Sequence, residues 1–280
     1  MKFRDPSAWY NLVVAYDSTD GTAANRLKVY VNGSQITGTF SSDLGQNVSA
    51  HWGDDASAGR IGAYNNNTGD SYMMNGYLAD VCGTVGYALT PSSFGETNDN
   101  GVWIPSKPSV TYSANGFFLE FKQTGTSANA SGIGADTSGN TNHFSVDSDD
   151  TSEYFQTTDT PTNNFATFNP LIVGTNYNPT LSKGNTKVSV NSTGKHGGYS
   201  SIGVANGKWN AEFKCITTVA SVIGIVNDPS EQCRTFGKPG EGAKDVGYLS
   251  ADGNKLIGDS GSTHGATYTN NDIILSLIHI

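Results

Sequence analysis

Leu27-Lys28-Val29-Tyr30-Val31-Asn32-Gly33-Ser34-Gln35-Ile36-Thr37 is the stretch that decides the fold. Leu27, Val29 and Val31 alternate with Lys28 and Tyr30, the two-residue period of a strand that buries one face. Asn32-Gly33 is the dipeptide best able to take positive φ at two successive positions, which a tight hairpin turn requires. Ser34 to Thr37 is therefore predicted to return beside it as an antiparallel partner. Upstream, Trp9-Tyr10-Asn11-Leu12-Val13-Val14-Ala15-Tyr16 is rich in aromatic and β-branched residues and is predicted to be a further strand. Asp17-Ser18-Thr19-Asp20-Gly21 supplies the turn between the two.

The same grammar recurs along the chain. Strands are expected at 60–64, 76–82 and 116–121, and in the second half at 186–190, 199–204, 208–216, 222–226, 246–249 and 271–277, with Gly, Asn and Asp clusters between them. In 208–216, Trp209, Ala211, Phe213 and Cys215 share one face, while Asn210, Glu212 and Lys214 share the other. One helical turn is expected at Pro91-Ser92-Ser93-Phe94, with Thr90 as its N-cap. Residues 124–159 are poor in apolar side chains and rich in Thr, Ser, Gly, Asn and Asp, as in a loop region or linker. The predicted class is all-β, with two antiparallel β-sandwich regions of jelly-roll or related type.

Composition agrees. Of 280 residues, 34 are Gly and 27 are Asn, whereas only 6 are Glu, so turns outnumber what long helices could use. The formal charge is −9 and no Lys/Arg cluster exceeds two neighbours, which sets aside nucleic acid and anionic membrane surfaces as partners. No apolar run is long enough to span a bilayer, and Met1-Lys2-Phe3-Arg4-Asp5-Pro6 lacks the apolar stretch of a signal peptide, so a soluble product made in a cytoplasm is expected. Cys82, Cys215 and Cys233 are sparse and odd in number, as expected of buried thiols; Cys215 and Cys233 could pair only in an oxidising setting.

Three sets of segments carry family resemblances. Phe3-Arg4-Asp5-Pro6-Ser7-Ala8-Trp9-Tyr10, Leu27 to Gly33 and Gly76-Tyr77-Leu78-Ala79-Asp80-Val81 resemble the back half of a laminin-G-like, concanavalin A-type lectin domain. Leu89-Thr90-Pro91-Ser92-Ser93-Phe94-Gly95-Glu96, Gly101-Val102-Trp103-Ile104-Pro105, Asn115-Gly116-Phe117-Phe118-Leu119, Asp136-Thr137-Ser138-Gly139-Asn140 and Asp159-Thr160-Pro161-Thr162-Asn163-Asn164-Phe165 are similar to segments of virion proteins of marine tailed phages. Residues 198–275, with Ile202-Gly203-Val204-Ala205-Asn206-Gly207-Lys208-Trp209 and Gly247-Tyr248-Leu249-Ser250-Ala251-Asp252-Gly253-Asn254-Lys255, look like the first half of a SPRY domain. The resemblance implies a lectin-like part at 1–123, a loop-rich linker at 124–180 and a SPRY-like part at 181–280. Both domains would be incomplete, since a lectin domain of this type begins well before its Trp-Tyr strand. A SPRY-like part would continue beyond Ile274, so Leu275 to Ile280 are expected to fall outside the family pattern. The implied function is that of a non-catalytic virion protein, tail fibre-associated, in which host surface glycans or other virion proteins are the partners; the sequence leaves open whether the full-length protein is a homo-oligomer. The alternatives are a fragment of a secreted glucanase-type enzyme and a SPRY-type protein-interaction module.

Glucanase chemistry needs two carboxylates flanking the scissile bond, commonly alternating on one strand face. The six Glu residues never fall within five positions of one another, and Asp147, Asp149 and Asp150 lack the Gly and final Glu of a calcium loop. No Gly-x-Ser-x-Gly elbow is present, so no catalytic residue is assigned. Asp17, Asp20 and Asp80 are candidate calcium ligands at the loop ends of a lectin-like sandwich, calcium being the one cofactor considered. Sugars are held by an aromatic ring stacked on the pyranose and by Asn, Asp and backbone amides bonding its hydroxyls. Two loops have that mixture, one with Trp52 and Asp54 and the other with Tyr64, Asn65, Asn66 and Asn67, and these six are the candidate carbohydrate-binding residues. Trp9, Trp103 and Trp209 are expected to be packing residues.

Overall fold

The computed structural model describes residues 3, 8–38, 45–49, 59–65, 70–71, 74, 76–146, 156–172, 179–190, 197–217, 220–228 and 238–279. Strands make up 31% of the chain and helices 3%, so the protein is all-β. Among the described residues no helix is long and apolar enough to cross a membrane. The chain divides into two compact units, Ala8–Phe165 and Ala166–Ile280.

The first unit opens with β1 (Leu12–Tyr16), a single helical turn α1 (Ala23–Arg26), β2 (Leu27–Val31) and β3 (Ser34–Gln35), forming one antiparallel sheet in the order β1-β2-β3. Leu12 pairs with Val31 and Tyr16 with Leu27. Asn32 and Gly33 take φ of 47° and 78°, as the hairpin predicts. The returning strand is shorter than expected, but Ile36 still donates its amide to the Val29 carbonyl at 2.8 Å. Next come β4 (Tyr64–Asn65) and β5 (Asp70–Ser71), which pair with each other, so the strand expected at 60–64 keeps only its last residue.

β6 (Val81–Gly83) follows, shortened from the expected 76–82 because Asp80 takes a positive φ of 51°, which breaks the extended path. Pro91–Ser93 is a 3-10 turn with Pro at its start; Thr90 makes no capping bond to the backbone, its Oγ1 lying 2.9 Å from Ser92 Oγ. β7 (Gly95–Thr97) and β8 (Trp103–Pro105) form a hairpin absent from the expectation. β9 (Phe117–Leu119) is buried along its whole length and pairs with β6, Val81 opposite Leu119. Phe118, Leu119 and Val31 are the most deeply buried side chains, and the Phe117 and Phe144 rings meet edge-on at 4.8 Å.

The second unit carries β10 (Thr180–Ser182) and β11 (Lys187–Ser189), a hairpin; β12 (Lys208–Lys214); β13 (Val222–Ile225), β14 (Val246–Leu249), β15 (Asn254–Ile257) and β16 (Ser260–Thr263), a four-stranded antiparallel meander; and β17 (Ile273–His279), which pairs with β12. No strand forms at 199–204: Ser200 makes only an isolated bridge to Phe168. Leu256, Tyr268 and Cys215 are buried here, together with the acidic Glu241 and Asp245. Cys215 and the half-buried Cys82 are free thiols, and Cys233 lies outside the described residues. Trp209, expected to pack, leaves 47% of its surface exposed.

Candidate binding site

Residues 124–146, read from composition as a loop or linker, have little regular structure but are tied into the first unit by side-chain hydrogen bonds. Asp136 organises them. Its Oδ1 accepts from the amides of Phe118 (2.8 Å) and Ser138 (2.9 Å), and its Oδ2 from Ser138 Oγ and the Asn142 amide, each at 2.9 Å. Its own amide donates to His143 Nδ1 at 3.0 Å. Asn140 Nδ2 donates to the carbonyls of Ser113 (2.6 Å) and Gly116 (2.9 Å), and Asn142 Nδ2 to those of Ala114 (2.7 Å) and Gly116 (2.9 Å). The carboxylate and two carboxamides thus reinforce the few isolated bridges this polar stretch makes, among them Leu119 with Asp136. Burial of Asp136 opposes its charge, but the donors from Phe118, Ser138 and Asn142 overcome it and hold the carboxyl below the usual carboxylate range.

A cavity of ≈ 200 Å³ opens where this loop meets the chain leaving β9. Phe121, Ala130 and Ala135 give it apolar lining; Glu120, Lys122, Gln123, Asp136 and Thr137 give it polar lining. Gln156 Nε2 clamps one side by donating to the carbonyls of Gln123, at 3.0 Å, and Phe121. Glu120, only 13% exposed, meets Lys122 Nζ at 2.7 Å and Lys107 Nζ at 3.3 Å. The Lys122 bond is the main reason its carboxyl lies below the usual range. Lys107 Nζ also lies 5.4 Å from the centre of the Phe118 ring. Outside the cavity lining, partial burial and then the Glu120 charge push the Asp80 carboxyl up.

Asp17 and Asp20, proposed as calcium ligands, are engaged in their own turn. Asp17 Oδ1 accepts from the Thr19 amide (3.0 Å) and Oγ1 (2.6 Å), which lowers its pKa, and Asp20 Oδ1 accepts from the Thr22 amide at 2.8 Å. Among the described residues no group of three or more His, Cys, Asp or Glu comes together that could hold a metal ion, so Asp17, Asp20 and Asp80 form no such cluster. For the carbohydrate candidates, the backbone places Tyr64 opposite Ser71 and Asn65 opposite Asp70 in the β4–β5 hairpin. Trp52, Asp54, Asn66 and Asn67 lie outside the described residues.

Glu120, Lys122, Gln123 and Thr137 were not singled out from the sequence. The available signal was Asp136-Thr137-Ser138-Gly139-Asn140-Thr141-Asn142, an Asp followed at +2, +4 and +6 by residues able to bond local backbone. Comparison with known proteins adds no relative: no family model, curated protein or solved structure matches the chain.

Proposed function

We propose that the protein is a non-catalytic structural and adhesion component of a tailed-phage virion, associated with a tail fibre or similar exterior appendage, which binds host surface glycans or other virion proteins. Its small sheets are portions of lectin-like and SPRY-like sandwiches. The observation that carries the binding role is the cavity beside β9. An apolar patch meets polar groups there, between a loop held by Asp136 and the chain leaving β9, which Gln156 bonds, and this is the composition of a site that recognises a ring and its hydroxyls. Its volume of ≈ 200 Å³ is below the roughly 300–1,000 Å³ of pockets that enclose whole small ligands, and suits a single sugar unit gripped weakly. Weak single sites attach a particle through many copies.

A glycan array probed with the 280-residue chain tests this reading directly. Retention of a defined glycan class, weakened about tenfold or more by Glu120→Ala, is the expected outcome, corresponding to loss of one charge-assisted hydrogen bond. Release of reducing sugar from a bound polysaccharide would replace adhesion by the glucanase alternative. Immunogold labelling of purified virions tests the location, and an unlabelled particle would end the virion assignment.

A further inference from the structure

The sequence contains five Asn-Gly dipeptides, at Asn32, Asn75, Asn100, Asn115 and Asn206. Asn75 lies outside the described residues, and the other four differ sharply in their surroundings. Glycine offers no side chain to hinder its own amide nitrogen, so in such a pair that nitrogen can reach the asparagine Cγ if both groups are unrestrained. At Asn32, Oδ1 accepts from the Asn11 amide at 2.8 Å, and the Trp103 ring packs directly against Gly33. At Asn100, the Gly101 amide is engaged with the Asn98 carbonyl at 2.9 Å. At Asn115, the Gly116 amide is engaged with the Ser113 carbonyl at 2.8 Å.

Asn206-Gly207 is exposed, as Asn100-Gly101 is, but among the described residues neither the Asn206 side chain nor the Gly207 amide has a hydrogen-bond partner, which sets it apart from the other three. The carbonyl of this same peptide accepts from Trp209 Nε1 at 2.7 Å. That bond draws electron density from the amide and makes the Gly207 N–H easier to deprotonate, which is the first step of the attack.

We propose that Asn206 is a site of spontaneous modification by deamidation, the fastest of the four described Asn-Gly pairs. The Gly207 nitrogen gives its proton to solvent base and bonds to Asn206 Cγ. The bond from Cγ to the side-chain nitrogen breaks, and the NH₂ group leaves as ammonia with one proton taken from water, balancing the proton that Gly207 gave up. Water then opens the five-membered imide at either carbonyl, leaving an ordinary aspartate or an isoaspartate whose main chain runs through the former side chain. No oxidant or reductant is involved. The product carries a new negative charge beside Lys208, where β12 begins, and the isoaspartate form lengthens the backbone by one carbon just before that strand.

The test is to incubate the whole chain in mildly alkaline buffer and follow each Asn-Gly peptide by mass spectrometry, with isoaspartyl methyltransferase labelling to detect the rearranged product. The peptide holding Asn206 is expected to gain the deamidation mass at least about fivefold faster than those holding Asn32, Asn100 and Asn115, the factor one intact hydrogen bond imposes. In denaturant the four rates are expected to converge, because the peptides then differ little. If any of those three reacts as fast as Asn206 in the folded chain, or Asn206 remains unmodified while the others react, the proposal is overturned.

Discussion

Among the described residues, Asp136 is the one whose side chain accepts the most backbone amides. Its two oxygens receive four donors, one of them the amide of the fully buried Phe118. Asp136→Ala leaves those donors without an acceptor and is expected to cost at least about 3 kcal/mol, read from urea unfolding. Asp136→Asn keeps one oxygen but turns an NH₂ group toward remaining donors, and about 2 kcal/mol is expected. The two variants also differ from the native chain in acid. The folded Asp136 carboxyl lies below its unfolded value, so its stabilisation is complete above the unfolded pKa of about 3.9 and is lost as pH falls through the folded one. Stability of the native chain should therefore fall below about pH 4 more steeply than that of Asp136→Asn. Asp159 has a comparable role nearby: its Oδ2 accepts from Trp9 Nε1 and its Oδ1 from the Phe165 amide, each at 2.8 Å, tying the start of the unit to its end.

Among the elements, the β2–β3 hairpin and the edge strand β1 make opposite predictions. At Gly33 the backbone needs φ 78°, and a Cβ would lie 2.5 Å from Trp103 Cε3. Gly33→Ala combines backbone strain with overpacking, and about 2–3 kcal/mol of lost stability is expected in thermal or denaturant unfolding. On β1, whose second edge has no strand partner among the described residues, Leu12 and Val14 are 59% and 60% exposed. Lysine at either position should change stability by less than about 0.5 kcal/mol while reducing aggregation measured by light scattering, because an exposed apolar edge is a template for pairing with another chain. β17 has the same character, with Leu275 51% and Leu277 75% exposed, where the family pattern was expected to have ended.

At the scale of the whole molecule, nine apolar residues are buried and twenty-two large apolar residues are exposed among those described. So small a core beside so many exposed apolar side chains favours self-association in the isolated chain. The boundary between the two units falls at Phe165 and Ala166, in a run from Thr162 to Ala166 that is exposed throughout. Brief chymotrypsin digestion is expected to cut after Phe165, 46% exposed, and release two resistant fragments. Cleavage scattered evenly through both units would contradict this.

The sequence by itself determined the all-β class, the Asn32-Gly33 hairpin, and the strands β1, β2, β9, β11, β12, β13, β14 and β17, because alternation and turn chemistry are local and survive without knowledge of neighbours. It did not reveal β7, β8, β15 and β16. Those strands are three or four residues long, too short to show an alternation, and β16 is made only of Ser, Gly and Thr while β8 ends on a proline, so the partner across the ladder, not intrinsic preference, makes them strands. The polar stretch around Asp136 was legible only as turn-rich. Its carboxylate meets Phe118, eighteen positions earlier, and its neighbouring carboxamides meet Ser113, Ala114 and Gly116. Such contacts depend on where the chain returns in space, so tertiary structure alone turned an expected linker into the wall of the candidate site.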